Sequence, residues 1–142
     1  MCYRETKIPE FLQQAKKVEE FLFNHPHMPT DYVPYWDFDA PEIPNEPRDA
    51  SAAAIIASAL YELSLYDPEN AERDKERADK ILENLSKNYR ATMGHDNGFL
   101  LLHSTGTKPT NVEVDVPIVY ADYYFIEALL RKDRLEKTGK LF

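Results

Sequence analysis

The side chains with chemistry to offer gather in a proline-rich stretch between residues 34 and 49. Pro34, Pro41, Pro44 and Pro47 fix φ there and hold Trp36, Asp37, Phe38 and Asp39 between them. An indole presents a broad apolar face on which the axial C–H groups of a sugar can stack, and it serves equally to pack a loop onto helix ends. Asp37 and Asp39 can accept hydroxyl hydrogens from a ligand or brace Arg48 and the loop amides. Bracing has the stronger case, because prolines leave few other ways to pin the loop. Asp49 stands where a helix begins and reads as its cap. His25 and His27 lack an acid or a third histidine at helical spacing, so no metal is expected. His95 and Asp96 precede Gly98 in a turn, and Tyr120, Tyr123 and Tyr124 read as core whose phenols can reach an inner cavity.

The chain that must position these groups has 142 residues, the size of one domain. A net charge of −8 supplies no basic patch to neutralise phosphates, which argues against a nucleic-acid partner. A single cysteine, Cys2, excludes an internal disulfide and any multi-cysteine zinc site. No apolar run approaches the roughly 20 residues of a membrane span, and no cofactor is expected. The opening Met1–Thr6 lacks the regions of a secretory signal and has no helix start of its own before Pro9. That fits either a cytoplasmic chain or a stretch of a longer polypeptide, and leaves a periplasmic compartment open to a longer relative.

Four helices are expected. The first runs from Pro9 to about Asn24, with Phe11, Leu12, Ala15, Val18, Phe21 and Leu22 on one face and Lys16, Lys17, Glu19 and Glu20 on the other. Six prolines between His25 and Pro47 make the following segment a long ordered loop. The second helix, about Asp49 to Leu65, carries Ala52, Ala53, Ala54, Ile55, Ile56, Ala57, Ala59 and Leu60 on every face and must be enclosed. The third opens at Asp67-Pro68-Glu69 as cap, N1 proline and first-turn acid, then shows one stripe of Ala71, Ala78, Ile81, Leu82, Leu85 and Tyr89. After a second long connection, 92–117, a fourth helix from about Ile118 to Lys132 is apolar around most of its circumference. Within the connection, 98–103 and 113–116 can pair as a short β-hairpin. The Arg131-Lys132-Asp133-Arg134 run reads as a solvated helix end.

Exposed, buried, exposed, buried is the order that concentric helical barrels require, whereas a four-helix bundle shows four similar stripes and short loops. Four helices cannot close such a ring. The fold class expected is therefore all-α, a sector of a double helical barrel whose inner helices expose apolar flanks, filled by a longer chain or by self-association.

Three stretches carry a resemblance: Tyr35-Trp36-Asp37-Phe38-Asp39-Ala40-Pro41, Pro47-Arg48-Asp49-Ala50-Ser51-Ala52-Ala53-Ala54-Ile55, and Tyr120-Ala121-Asp122-Tyr123-Tyr124-Phe125-Ile126-Glu127-Ala128-Leu129. Together they resemble the C-terminal part of the unsaturated glucuronyl hydrolases, glycoside hydrolase family 88, collinearly and over nearly the whole chain. The resemblance implies an (α/α)6 barrel, of which residues 1–142 are the C-terminal portion with the N-terminal portion missing. It implies enzymes that remove an unsaturated uronic acid from lyase-generated oligosaccharides by hydrating the C4–C5 double bond, giving a hemiketal that opens. This differs from the two-carboxylate displacement of ordinary glycosidases. The aspartate that serves as acid and base lies upstream in that family, so no catalytic role passes to Asp37, Asp39, Asp49 or Asp122. The resemblance does place the His103–Thr107 loop against the substrate, with Ser104 and Thr107 meeting the sugar beyond the cleaved bond. Lys108 beside them would attract a sulfate or carboxylate. Thr107 stands where the family has serine, which keeps the hydroxyl. The substrate-binding set expected is thus Trp36, Asp39, Ser104, Thr107 and Lys108. A carbohydrate-binding or helical interaction module without enzymatic activity is the competing reading.

Overall fold

The computed structural model describes residues 1–141, with Asp96 by its backbone alone. Five α-helices form among the described residues: α1 (Cys2–Thr6), α2 (Pro9–Asn24), α3 (Ala50–Leu63), α4 (Ala71–Asn88) and α5 (Val119–Thr138). The short α1 departs from the expectation that no helix precedes Pro9. It is held against the end of α3, where Arg4 meets Glu62 at 3.4 Å and Tyr3 packs edge-on to Tyr66.

The alanine-rich α3 is the centre of the molecule, packed against α4 on one side and α5 on the other. Ala50, Ala53, Ala54 and Ala57 have no exposed surface, and their small side chains let Ala121, Phe125 and Ala128 of α5 and Ala78, Ile81 and Leu85 of α4 come close. Asp79 on α4 ties the three together, accepting from the Tyr61 hydroxyl of α3 and from Lys132 of α5 at 2.6 Å.

Asp49 caps α3, its carboxylate accepting from the Ser51 amide at 3.0 Å. The start of α4 differs from expectation: residues 68–70 form a turn, Asn70 is the N-cap residue, and Asp67 anchors the turn by accepting from Asn70 Nδ2 at 2.9 Å and Lys16 at 2.7 Å. The fourth expected helix, α5, continues six residues beyond Lys132 to Thr138, where Gly139 takes the left-handed C-cap at φ 68°.

Two expectations about helix faces reverse. On α2 the sole buried residue is Glu19, while Phe11, Val18 and Phe21 are open to solvent, Phe21 at 59% exposure. From the charged face Glu19 and Lys16 are drawn inward, Glu19 by Arg73 (3.1 Å) and Arg77 of α4 and Lys16 by Asp67, while Lys17 and Glu20 stay exposed. At the other end Arg131 is no solvated terminus. It lies buried between α3 and α5, 3.1 Å from Glu62 and 3.3 Å from Glu127. The outer flank of α5, Val119, Tyr123, Ile126 and Leu130, is exposed in turn, Tyr123 at 61%.

No sheet forms among the described residues. The second connection contains isolated antiparallel bridges, Ser104 with Val116 and Thr107 with Val112, so a hairpin turn exists but is narrower than expected. The 98–103 segment turns away from it: Leu101 bridges Arg90 at the end of α4. The carboxylate of Asp122 dictates this, accepting from the amides of Leu100 and Leu101 at 2.9 Å each and drawing that segment onto α5.

Candidate functional site

Both long connections lie over the N-terminal end of α3. Within the first, the Asp49 amide donates to Pro34 O at 2.8 Å and the Trp36 amide to Pro47 O at 3.1 Å, so residues 34–49 fold back on themselves. The second is tied to it through the Asp49 carboxylate, which accepts from the Thr105 amide at 3.3 Å, and through the Thr105 hydroxyl, which donates to Arg48 O at 3.1 Å. One aspartate thus caps the helix and joins the two loops above it.

Where the loops meet the end of α4 there is an open cavity of about 600 Å³, walled by Asp31, Glu46, Arg48, Tyr89, His103 and Asp115 among others. Arg48 crosses its floor, donating through Nε to Val33 O at 2.8 Å and pairing with Asp31. Bracing of Arg48 therefore falls to Asp31, while Asp37 braces a loop amide, accepting from the Asp39 N–H at 2.8 Å. The Tyr89 hydroxyl donates to the other Asp31 oxygen at 3.2 Å. Burial pushes this phenol up to about 12, with Arg48 opposing and Asp31 assisting, so it holds its proton at neutral pH.

The five residues expected to meet substrate are brought to one end of the molecule, but none is part of the cavity wall. Trp36 is half-buried and donates its indole N–H to Glu46 Oε2 at 2.8 Å. Lys108 donates to the same oxygen at 2.7 Å and lies 5.8 Å from the Trp36 ring. Its charge is therefore already matched. The hydrogen bonds from Lys108 and then Trp36 hold the Glu46 carboxyl below the usual carboxylate range. Asp39 and Thr107 are exposed. Ser104 has no exposed surface, and its hydroxyl has no hydrogen-bond partner among the described residues.

Glu46 is the residue that sequence reasoning passes over. Nothing in Asn45-Glu46-Pro47 marks the glutamate, and its role exists only because Trp36 and Lys108, far apart in sequence, converge on it. Asp31, Tyr89 and Asp115 are missed for the same reason. His25 and His27 serve an aromatic cluster, His25 stacking on Phe38 at 4.4 Å and His27 Nδ1 lying 2.5 Å from Phe38 O. The turn at His95 closes with the Gly98 amide on His95 O at 3.3 Å, while the Asp96 side chain lies outside the described residues. Among the described residues no His, Cys, Asp and Glu cluster is suited to a metal ion, and no helix is long and apolar enough to cross a membrane.

No protein-family model matches the chain. Individual proteins do. Over 136 residues, 95% of its length, the chain is 48% identical to an unsaturated glucuronyl hydrolase of Formosa agariphila, of which it covers 34%. It is 30% identical to the unsaturated chondroitin disaccharide hydrolase of Streptococcus pneumoniae, covering 33% of that protein. The crystal structure of an unsaturated glucuronyl hydrolase specific for heparin superposes with a TM-score of 0.91 at 43% identity, over 95% of this chain and 36% of the other. A Streptococcus agalactiae unsaturated glucuronyl hydrolase variant complexed with dGlcA-GalNAc6S superposes at 0.79 with 29% identity, over 92% of this chain and 35% of the other. These relatives are hydrolases, which does not favour a non-enzymatic module. The helices described above are a sector of their helical barrel. The chain spans about a third of the length of the relatives it matches, and over nearly all of its own length it is a homologue of the unsaturated glucuronyl hydrolases of glycoside hydrolase family 88.

Proposed function

We propose that these 142 residues form the C-terminal sector of an unsaturated glucuronyl hydrolase barrel and supply part of its substrate wall. The substrate class is an oligosaccharide that a polysaccharide lyase has left with an unsaturated uronic acid at its end. The full enzyme hydrates the C4–C5 double bond of that residue, and the aspartate that moves the proton lies outside these residues. The observation that carries the reading is the match of 95% of the chain to a glucuronyl hydrolase structure at a TM-score of 0.91.

Trp36, Asp39 and Thr107 are open enough to touch a glycan and are assigned to its wall. Ser104 and Lys108 act from behind it, Ser104 by holding the hairpin through its backbone pairing with Val116 and Lys108 by fixing Glu46 under Trp36.

The test is incubation of the 142-residue chain with unsaturated chondroitin or heparin disaccharides while the absorbance of the conjugated double bond is followed. No turnover is expected. Clear turnover would show that a catalytic acid lies within these residues and overturn the assignment.

The exposed flanks of α2 and α5 favour a second property, self-association of the 142 residues when no other helices cover those flanks.

A further inference from the structure

Most charges around the cavity are already matched. Asp31 is taken up by Arg48 and Tyr89, and Glu46 by Lys108 and Trp36. What remains is His103 with Asp115, whose Nδ1 and Oδ1 lie 2.7 Å apart, each side chain about half exposed on the cavity wall. Their hydrogen bonding is satisfied on one side only. His103 Nε2 and Asp115 Oδ2 make no hydrogen bond within the described residues.

The backbone around the pair is fixed from three directions. His103 O accepts from the Ala50 amide at the start of α3 at 3.0 Å. The preceding Leu102 amide donates to Tyr89 O at 2.9 Å, and the following Ser104 exchanges two backbone hydrogen bonds with Val116 at 3.0 and 2.9 Å. The Tyr89 ring stands edge-on to the imidazole, centroids 6.0 Å apart. Both residues are held in the left-handed region, His103 at φ 62° and Asp115 at φ 54°. An exposed hydrogen-bonded pair of this kind adds little to stability, so the pair is free to serve a ligand.

We propose that His103, oriented by Asp115, is a ligand-binding residue of this cavity that accepts a hydrogen bond from a pyranose hydroxyl at Nε2. The chemistry follows from the partner. When the ring carries one proton, and that Nδ1–H is donated to Asp115, it presents a lone pair at Nε2 suited to a hydroxyl donor. The unmatched carboxylate of Asp115 disfavours a sulfate or carboxylate at this place. Asp115 is a positioning residue that acts through the ring. The proposal rests on the glycan-binding reading above.

The experiment is an NMR titration of the 142-residue chain at neutral pH with an unsulfated unsaturated uronyl disaccharide, following amide and imidazole nitrogen resonances. The free chain should show His103 as the Nδ1–H tautomer, and the disaccharide should shift its Nε2 resonance. His103→Asn, which tolerates the left-handed backbone and removes the ring, should weaken binding about three- to tenfold, the loss of one hydrogen bond. Asp115→Asn should weaken it by a similar factor and change the tautomer. His95→Asn, in the 92–98 turn and not part of the cavity lining, serves as control and should bind as the unaltered chain does. If the unaltered chain binds no disaccharide, the glycan reading fails and this proposal with it. If the chain binds but His103→Asn binds within twofold of it, or Nε2 does not move, the assignment of His103 alone is overturned.

Discussion

Arg131 Nη1 donates to the carbonyl oxygen of Ser58 at 2.8 Å, reaching from α5 into the middle of α3. The same guanidinium faces Glu62 and Glu127, and the Ser58 hydroxyl donates to Glu127. A polar network therefore crosses an interface that is otherwise alanine and phenylalanine.

Removing Arg131 leaves Glu62, 5% exposed, with Arg4 and the chain's amino end as its cationic partners among the described residues. Two cations still face Glu62, so Arg131→Ala should destabilise the chain by about 1–2 kcal/mol, chiefly through the hydrogen bonds lost at Ser58 O and the carboxylates. The double variant Arg131→Met with Glu62→Gln should recover part of that loss. Urea unfolding of the two variants measures both.

Glu46 links Trp36 to Lys108, and its carboxyl is held below the usual range by those two hydrogen bonds. A carboxyl lowered on folding contributes stability that is present above its unfolded pKa and is lost as pH falls through the folded value. Trp36 is the only tryptophan, so its fluorescence reports this site alone. Its emission should stay constant through the ordinary glutamate range and change only at more acidic pH. Glu46→Gln should remove that acid transition.

Asp74 behaves in the opposite sense. It has no exposed surface, one of its oxygens lacks a hydrogen-bond partner among the described residues, and burial raises its pKa against the pull of Arg73 at 3.4 Å. The folded chain then binds the proton more tightly than the unfolded chain, so stability falls as pH rises from the unfolded to the folded value. Asp74→Asn should be more stable than the parent chain at neutral pH and should converge with it in acid. Thermal unfolding across a pH series shows whether the two curves meet.

The outer flank of α5 exposes Val119, Tyr123, Ile126 and Leu130, and that of α2 exposes Phe11, Val18 and Phe21. Replacing Tyr123 and Ile126 by glutamate should lower the apparent mass of the 142-residue chain in sedimentation without loss of helical signal. An unchanged mass distribution would show that this flank does not mediate self-association.

Element identity was legible in the chain because it depends on neighbours in sequence. Alanine density gave α3, Asp49 at the start of that run gave its cap, and the alternation of stripe and all-round apolar patterns gave a barrel sector. The Tyr35–Pro41, Pro47–Ile55 and Tyr120–Leu129 stretches gave the resemblance to unsaturated glucuronyl hydrolases. What those residues could not determine was which partner each face meets. The stripe of α2 was readable, but its orientation was decided by Arg73 and Arg77 of α4 closing on Glu19. Arg131 looked like a terminal charge until α3 presented Glu62 and the Ser58 carbonyl to it. The candidate site divides the same way. Trp36 and Lys108 stood out by type, whereas Glu46 between them, and His103 with Asp115, became a site only when two loops far apart in sequence came together over α3. Hydrogen-bond and charge complementarity act over a few ångströms of space, and only the folded chain sets those distances.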